Sequence, residues 1–174
     1  MDKKEVQVGS EVIYDGKVIH VRKDKVLCPN GNYSYREIVD HHGGVGILAF
    51  VDNKVILIKQ FRYAYNEEVY EIPAGKIEVN EAPEITGKRE LEEETGYHVD
   101  KLLHLGNIYP SCGYTNEVIY LYLAKDLKKK ETHFDDDENI DTFLVDYEEV
   151  LKMVKEGKIK DAKTICALQY YQNL

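Results

Sequence analysis

Glu90, Glu93 and Glu94 stand in the run Arg89-Glu90-Leu91-Glu92-Glu93-Glu94, which Gly96 closes. In helical geometry Glu90 meets Glu93 at i+3 and Glu94 at i+4, so three carboxylates share one face. A solvated like-charge pair costs only about 0.2–0.5 kcal/mol, so repulsion does not exclude a plain acidic surface. The other reading is a cation site: Mg2+ is a hard ion that takes carboxylate oxygens, keeps several waters and bridges to substrate phosphates. A cation held there would serve a phosphate substrate, whose crowded negative oxygens resist attack by water at phosphorus. A metal neutralises and orients those oxygens and lowers the pKa of a bound water. Spacing alone leaves the two readings level.

The residues around this run add a register. Upstream lies a glycine-marked turn, Ala74-Gly75, followed by a polar loop; Gly75, Glu81, Arg89, Glu90, Leu91, Glu93, Glu94 and Gly96 then fall at the spacing glycine, five residues, Glu, seven residues, Arg-Glu-aliphatic-any-Glu-Glu-any-Gly-aliphatic. The chain thereby resembles the Nudix hydrolases, whose box has this pattern, and eight fixed positions make a specific signal. Tyr97 stands where an aliphatic residue is usual, which is similar to the ADP-ribose pyrophosphatase branch. That likeness continues in Tyr35-Arg36-Glu37-Ile38, Gln60-Phe61-Arg62, Glu71-Ile72-Pro73-Ala74-Gly75 and Asp161-Ala162-Lys163-Thr164.

The resemblance implies a set of roles. Glu90 and Glu94, with the backbone carbonyl of Ala74, would ligate the metal, and Glu93 would be a further ligand. The cofactor would be Mg2+, with Mn2+ as the alternative. Arg89 reaches Glu93 at i+4 and would hold that carboxylate; Glu81 faces elsewhere as a structural residue, and Glu92 is solvated. Arg62, at the end of an apolar strand beside the box, would fork onto the pyrophosphate or form a surface salt bridge. Arg36 matches a position that in this branch reaches substrate from the partner of a homodimer, through exchanged N-terminal sheets. Glu117 corresponds to an acid that binds the terminal ribose. Box glutamates committed to metal are poor proton acceptors, so the general base is placed in the acidic loop Asp135-Asp136-Asp137-Glu138, on Glu138 with Asp136 as the alternative and Glu93 next. Cys112 departs from the branch, which carries there a proline that marks ADP-ribose. The departure leaves the metal site untouched and the sugar end open.

The expected function is hydrolysis of the pyrophosphate of a nucleoside diphosphate derivative, with ADP-ribose cleaved to AMP and ribose 5-phosphate first in order. Other nucleoside diphosphate sugars and dinucleotides are the rivals. A non-catalytic ligand sensor of the same family is a separate class, and the complete set of box carboxylates speaks against it.

These residues need elements to hold them. Residues 11 to 40 read as short strands with turns, Glu11 to Tyr14, Val18 to Val21 and Tyr33 to Val39, with a hairpin signal at Pro29-Asn30-Gly31-Asn32. The apolar runs Val45 to Val51 and Lys54 to Phe61 read as central strands. The box helix begins near Pro83, a residue favoured at the first helical position; Gly87 inside it costs about 1 kcal/mol against alanine. Strands follow at 101–109, 117–124 and 142–145, then helices at 147–156 and 161–172, with Gly157 as a C-terminal cap. The fold class expected is α/β: a Nudix α/β/α sandwich with a mixed sheet at 43–174, preceded by a small antiparallel, dimerising sheet at 1–42.

Composition limits the partners. The chain has 174 residues, 43% of them hydrophobic, enough for one core. A net charge of -9 argues against nucleic-acid or anionic-membrane binding, so a phosphate substrate must meet a local exception, and Arg22, Arg36, Arg62 and Arg89 are the only arginines. Three cysteines without a CxxC pair suggest free thiols rather than a disulfide framework or a zinc site. The first residues carry no apolar leader and no run reaches a membrane span, from which a cytoplasmic location is expected. The pair His41-His42 reads as a solvated turn.

Overall fold

The computed structural model describes residues 3–130 and 140–174. Three strands, β1 (Val6–Asp15), β2 (His20–Leu27) and β3 (Tyr33–Asp40), form an antiparallel meander in chain order. β2 is longer than its sequence suggested, because Arg22, Lys23, Asp24 and Lys25 hide the strand signal. Its charges are paired within the sheet: Asp24 is buried and accepts from Ser10 Oγ at 2.7 Å and from Arg22, which also reaches Asp40. At the turn, Gly31 has φ of 85° and Asn32 N–H donates to Asn30 Oδ1.

The larger sheet is built on the hairpin of β4 (Gly44–Val51) and β5 (Lys54–Arg62). These two strands pair only beside their turn, Phe50 with Val55 and Val51 with Lys54, and then part. β4 continues between parallel β10 (Ile119–Ala124) and antiparallel β7 (Ala74–Lys76), with β9 (Leu103–Ile108) beyond β10. β5 continues between β12 (Asp141–Asp146) and β6 (Glu67–Glu71). The segment from Glu71, opposite Ile58 of β5, to Ala74, opposite Gly46 of β4, therefore crosses the opening between the parted strands. A short ribbon pairs β8 (Tyr97–His98) with β11 (Lys128–Lys129); two residues each give no periodicity by which a sequence could announce them.

Alternation along β4 makes the sheet two-faced. Val45, Ile47 and Ala49 pack with Leu91 of α1 (Pro83–Thr95), while Leu48 and Phe50 pack with Val150 and Met153 of α2 (Tyr147–Lys155) and Ala167 and Leu168 of α3 (Ala162–Gln172). The result is the expected α/β/α arrangement preceded by the small antiparallel sheet, with three helices among the described residues. α1 starts on Pro83 after Ala82 and ends at Gly96, whose φ is 70°. Gly87 is explained by a neighbour: a Cβ there would lie 2.9 Å from Leu102 Cδ1, so its cost in helix propensity accompanies the close approach of that side chain. Among the described residues no helix is long and apolar enough to cross a membrane.

Candidate active site

α1 carries the acidic run along the crossing segment. Leu91, fully buried, faces the sheet and fixes the roll of the helix; its burial is worth about 1.5–3 kcal/mol. That roll brings Glu94, 2% exposed, under the crossing segment, where its Oε2 accepts the Ala74 N–H at 2.9 Å. Glu90 lies flat against the next residue. A Cβ on Gly75 would sit 1.8 Å from the Glu90 Cδ, so only glycine lets this carboxyl reach the backbone.

Arg89 gathers the remaining carboxylates. Its Nη1 lies 2.9 Å from Glu90 Oε1 and 2.8 Å from Glu93 Oε2, and its Nε and Nη2 donate to Glu81 at 3.2 Å each. The Arg89–Glu93 contact is thus present as spacing suggested, but Glu81 does not face elsewhere: it turns back onto Arg89 and also accepts from Thr86 Oγ1 at 2.8 Å. Hydrogen bonding by Arg89 outweighs burial and holds the Glu81 carboxyl below its usual range. Glu92 is not simply solvated either, since it pairs with Lys130 at 3.0 Å and with His98 at 2.8 Å.

Glu90, Glu93, Glu94 and the Ala74 carbonyl offer only oxygen donors, the chemistry that a hard divalent cation takes. The bare backbone at Gly75 gives one carboxylate the room it needs against that loop. Among the described residues no three acidic, imidazole or thiol groups converge on one point fit for a metal.

On the other side of the crossing segment lies a cavity of about 620 Å³, whose walls include Arg62, Glu71, His41, Glu117, Tyr114 and Lys163. Glu71 is its buried anchor at 2% exposure. Arg62 grips it in parallel, Nε to Oε1 at 2.6 Å and Nη2 to Oε2 at 2.7 Å, and Lys163 Nζ bonds to Oε2 as well. Burial pushes the Glu71 carboxyl up, but the Arg62 hydrogen bonds and the Lys163 charge outweigh it and the group sits below the usual carboxylate range. Hydrogen bonding to Glu71 outweighs burial and holds the Arg62 guanidinium above its ordinary value, with the charge of Glu94 a minor contributor.

Of the residues singled out in the sequence, Arg62 and Glu117 line the cavity, whereas Ala74, Glu90, Glu93 and Glu94 are not among its lining residues and are joined to it through the segment that runs from Glu71 to Gly75. Arg36 is not among the lining residues; in its own chain it bonds to Glu5 at 2.9 Å, to the Tyr35 carbonyl and to Ser34. Asp136 and Glu138 lie outside the described residues. His41 corrects an expectation. It is no solvated turn residue, its side chain being 13% exposed; Gly43 N–H donates to Nδ1 at 3.0 Å and Glu117 Oε1 lies 3.4 Å away. Glu71, Lys163 and Asp161 had no role assigned from the sequence. The available signal was the likeness itself, which runs through Glu71-Ile72-Pro73-Ala74-Gly75 and Asp161-Ala162-Lys163-Thr164 without giving these side chains a task.

Residues 40–168 match the NUDIX domain profile. Over 172 residues the chain is 42% identical to the ADP-ribose pyrophosphatase of Bacillus subtilis (strain 168) and 41% identical to the methanol dehydrogenase activator of Bacillus methanolicus. Each likeness covers 97% of this chain and 93% of the relative. A crystal structure of an ADP compounds hydrolase matches with a TM-score of 0.87 over 98% of this chain and 94% of its own, at 19% identity, which speaks for the fold. With its box residues in register, its sandwich around β4 and a profile match over most of its length, the chain belongs to the Nudix hydrolase family.

Proposed function

We propose that the protein is a divalent-metal-dependent pyrophosphohydrolase of nucleoside diphosphate derivatives, with ADP-ribose as first substrate, cleaved to AMP and ribose 5-phosphate. The observation that carries this reading is adjacency. Residues 71 to 75 present Glu71 with Arg62 to the cavity on one side and meet the carboxylates of α1 on the other. A ligand in the cavity can therefore set a diphosphate against the acidic helix.

Glu90, Glu93, Glu94 and the Ala74 carbonyl would hold the cation, Mg2+ or Mn2+. When bound, it neutralises the phosphate oxygens and acidifies a water. Arg62, pre-oriented by Glu71, offers its outer N–H groups to the diphosphate. Glu117 accepts from the ribose hydroxyls, and His41 packs beside it. Water adds to one phosphorus, the bridging P–O bond breaks, and a carboxylate takes the proton of the attacking water. That carboxylate is Glu138, with Asp136 as the alternative. A panel of ADP-ribose, other nucleoside diphosphate sugars and dinucleotides, assayed with Mg2+ or Mn2+ for released nucleoside monophosphate, tests the reading. Failure to cleave any of them overturns it.

The base assignment has its own expected result. Alanine at Glu138 lowers kcat by about 10²- to 10⁴-fold with little change in KM, as loss of a general base does, and alanine at Asp136 does less. Normal single-turnover rates in both variants and in the double variant would move the base to Glu93.

The chain acts as a homodimer in this reading, with Arg36 serving the partner's cavity. Support comes from the N-terminal sheet, which leaves Val6, Val8, Val12, Ile13, Tyr33 and Tyr35 exposed in a single chain. Light scattering should return twice the 20.1 kDa of one chain. A monomer with full activity would remove both the dimer and the role of Arg36.

A further inference from the structure

We propose that Lys163, in the first turn of α3, is a positioning residue for substrate binding: it holds Glu71 so that Glu71 in turn holds Arg62 toward the cavity. The inference rests on the reading of Arg62 as the group that meets the diphosphate.

Arg62 ends β5 with its side chain 42% exposed, so packing does not fix it. What fixes it is the parallel pair of bonds from Nε and Nη2 to Glu71, which leaves the Nη1 edge outside the pairing. A carboxylate can impose that direction only if its own plane is held. Glu71 is deeply buried, and Lys163 Nζ fixes its Oε2, the same oxygen that receives Arg62 Nη2. Lys163 is held in turn: its Nζ donates to Asp161 Oδ1 at 3.0 Å, while Asp161 Oδ2 caps α3 by accepting from Thr164 N–H at 2.9 Å and Oγ1 at 2.6 Å. Thr164 Oγ1 accepts the Ile72 N–H at 2.9 Å. One helical turn thus grips residues 71 and 72 from positions 92 residues away in sequence.

A simple attachment of helix to sheet does not need this lysine. The Thr164–Ile72 bond and buried Ala167 and Leu168 already supply one. Burying an ammonium is costly, and an apolar residue of similar volume is often as stabilising. The lysine stem passes over Gly46, 3.6 Å from where a Cβ would be, so an unbranched apolar chain would fit the same track. What an apolar chain would lack is the charge that orients the carboxylate. By taking part of the Glu71 charge, Lys163 also leaves the guanidinium more of its own field for an anion.

The test compares Lys163→Met, Lys163→Arg, Arg62→Ala and the double variant Arg62→Ala/Lys163→Met. Two readouts are used: ADP-ribose hydrolysis, and calorimetric titration with ADP in the absence of metal. Lys163→Met is expected to raise KM and the ADP Kd by about tenfold, as loss of an outer support does, with a much smaller change in kcat. Lys163→Arg restores most of the loss. In the Arg62→Ala background Lys163→Met adds nothing, because it acts through that residue. If Lys163→Met does not fold, Lys163→Gln replaces it with the same expectation. The proposal is overturned if the variant melts earlier yet keeps KM and ADP Kd within twofold of wild type, or if the two substitutions multiply. Should wild type cleave no nucleoside diphosphate derivative while ADP binding still depends on Lys163 and Arg62, the functional reading fails and this inference stands. Absence of both cleavage and ADP binding overturns both.

Discussion

Glu94→Gln is expected to lower kcat for ADP-ribose by about 10²- to 10³-fold, the loss typical of removing one group that stabilises charge in the transition state. The fold should survive, because the position asks two different things of the side chain. Structurally, Glu94 is a buried acceptor for the Ala74 N–H at 2.9 Å. The amide oxygen of glutamine can still accept that bond. Chemically, a carboxylate beside the Ala74–Gly75 loop can bring a charged oxygen to a cation, and an amide cannot. Circular dichroism and thermal melting should therefore match wild type while AMP release collapses. Glu92→Gln is the control on the same helix: that carboxylate is engaged with Lys130 and His98, and its loss should leave the rate within about twofold, as surface changes away from a site do. A Glu94→Gln enzyme that works at close to the wild-type rate with saturating metal would sink the assignment of the acidic helix.

The elements that hold this helix were legible because their signals are local. Pro83 and Gly96 bracket α1, and the unbroken apolar runs of β4 and β5 mark strands covered on both faces. β2 was only half legible, since Asp24 and Arg22 find their partners Ser10 and Asp40 on the neighbouring strands, which periodicity cannot see. Gly87 was visible as an anomaly in a helix, and only the position of Leu102 gives its reason. The site divides in the same way. Glu90, Glu93 and Glu94 are neighbours on one helix, so spacing alone places them together. The pairing of Arg89 with Glu81 depends on how a loop returns, and His41 is a cavity residue only because Gly43 and Glu117 close around it. Glu71 and Lys163 are 92 residues apart and meet across the opening between β4 and β5. Nothing in either segment announces the other.

That meeting sets the second large effect, which is on stability. Glu71→Gln is expected to cost about 3–5 kcal/mol, the range for removing one partner of a buried ionic group. Two cations would lose their shared anion, and Lys163, 8% exposed, has little access to water in exchange. For a chain of this size the loss lowers Tm by roughly 10 °C. The pH dependence has a definite sign. The folded Glu71 carboxyl lies below its ordinary value, so its contribution is fully present above about pH 4.3, the unfolded glutamate value, and is lost as pH falls through the folded value. The stability gap between wild type and Glu71→Gln should thus be widest near neutrality and should close on acidification, where the wild-type carboxyl takes up a proton and resembles the amide. Urea denaturation of both proteins between pH 7 and pH 3 measures the gap directly. A gap that stays constant across that range would mean the variant is destabilised by altered packing, and that the charge shared among Arg62, Glu71 and Lys163 contributes little to holding the crossing segment in place.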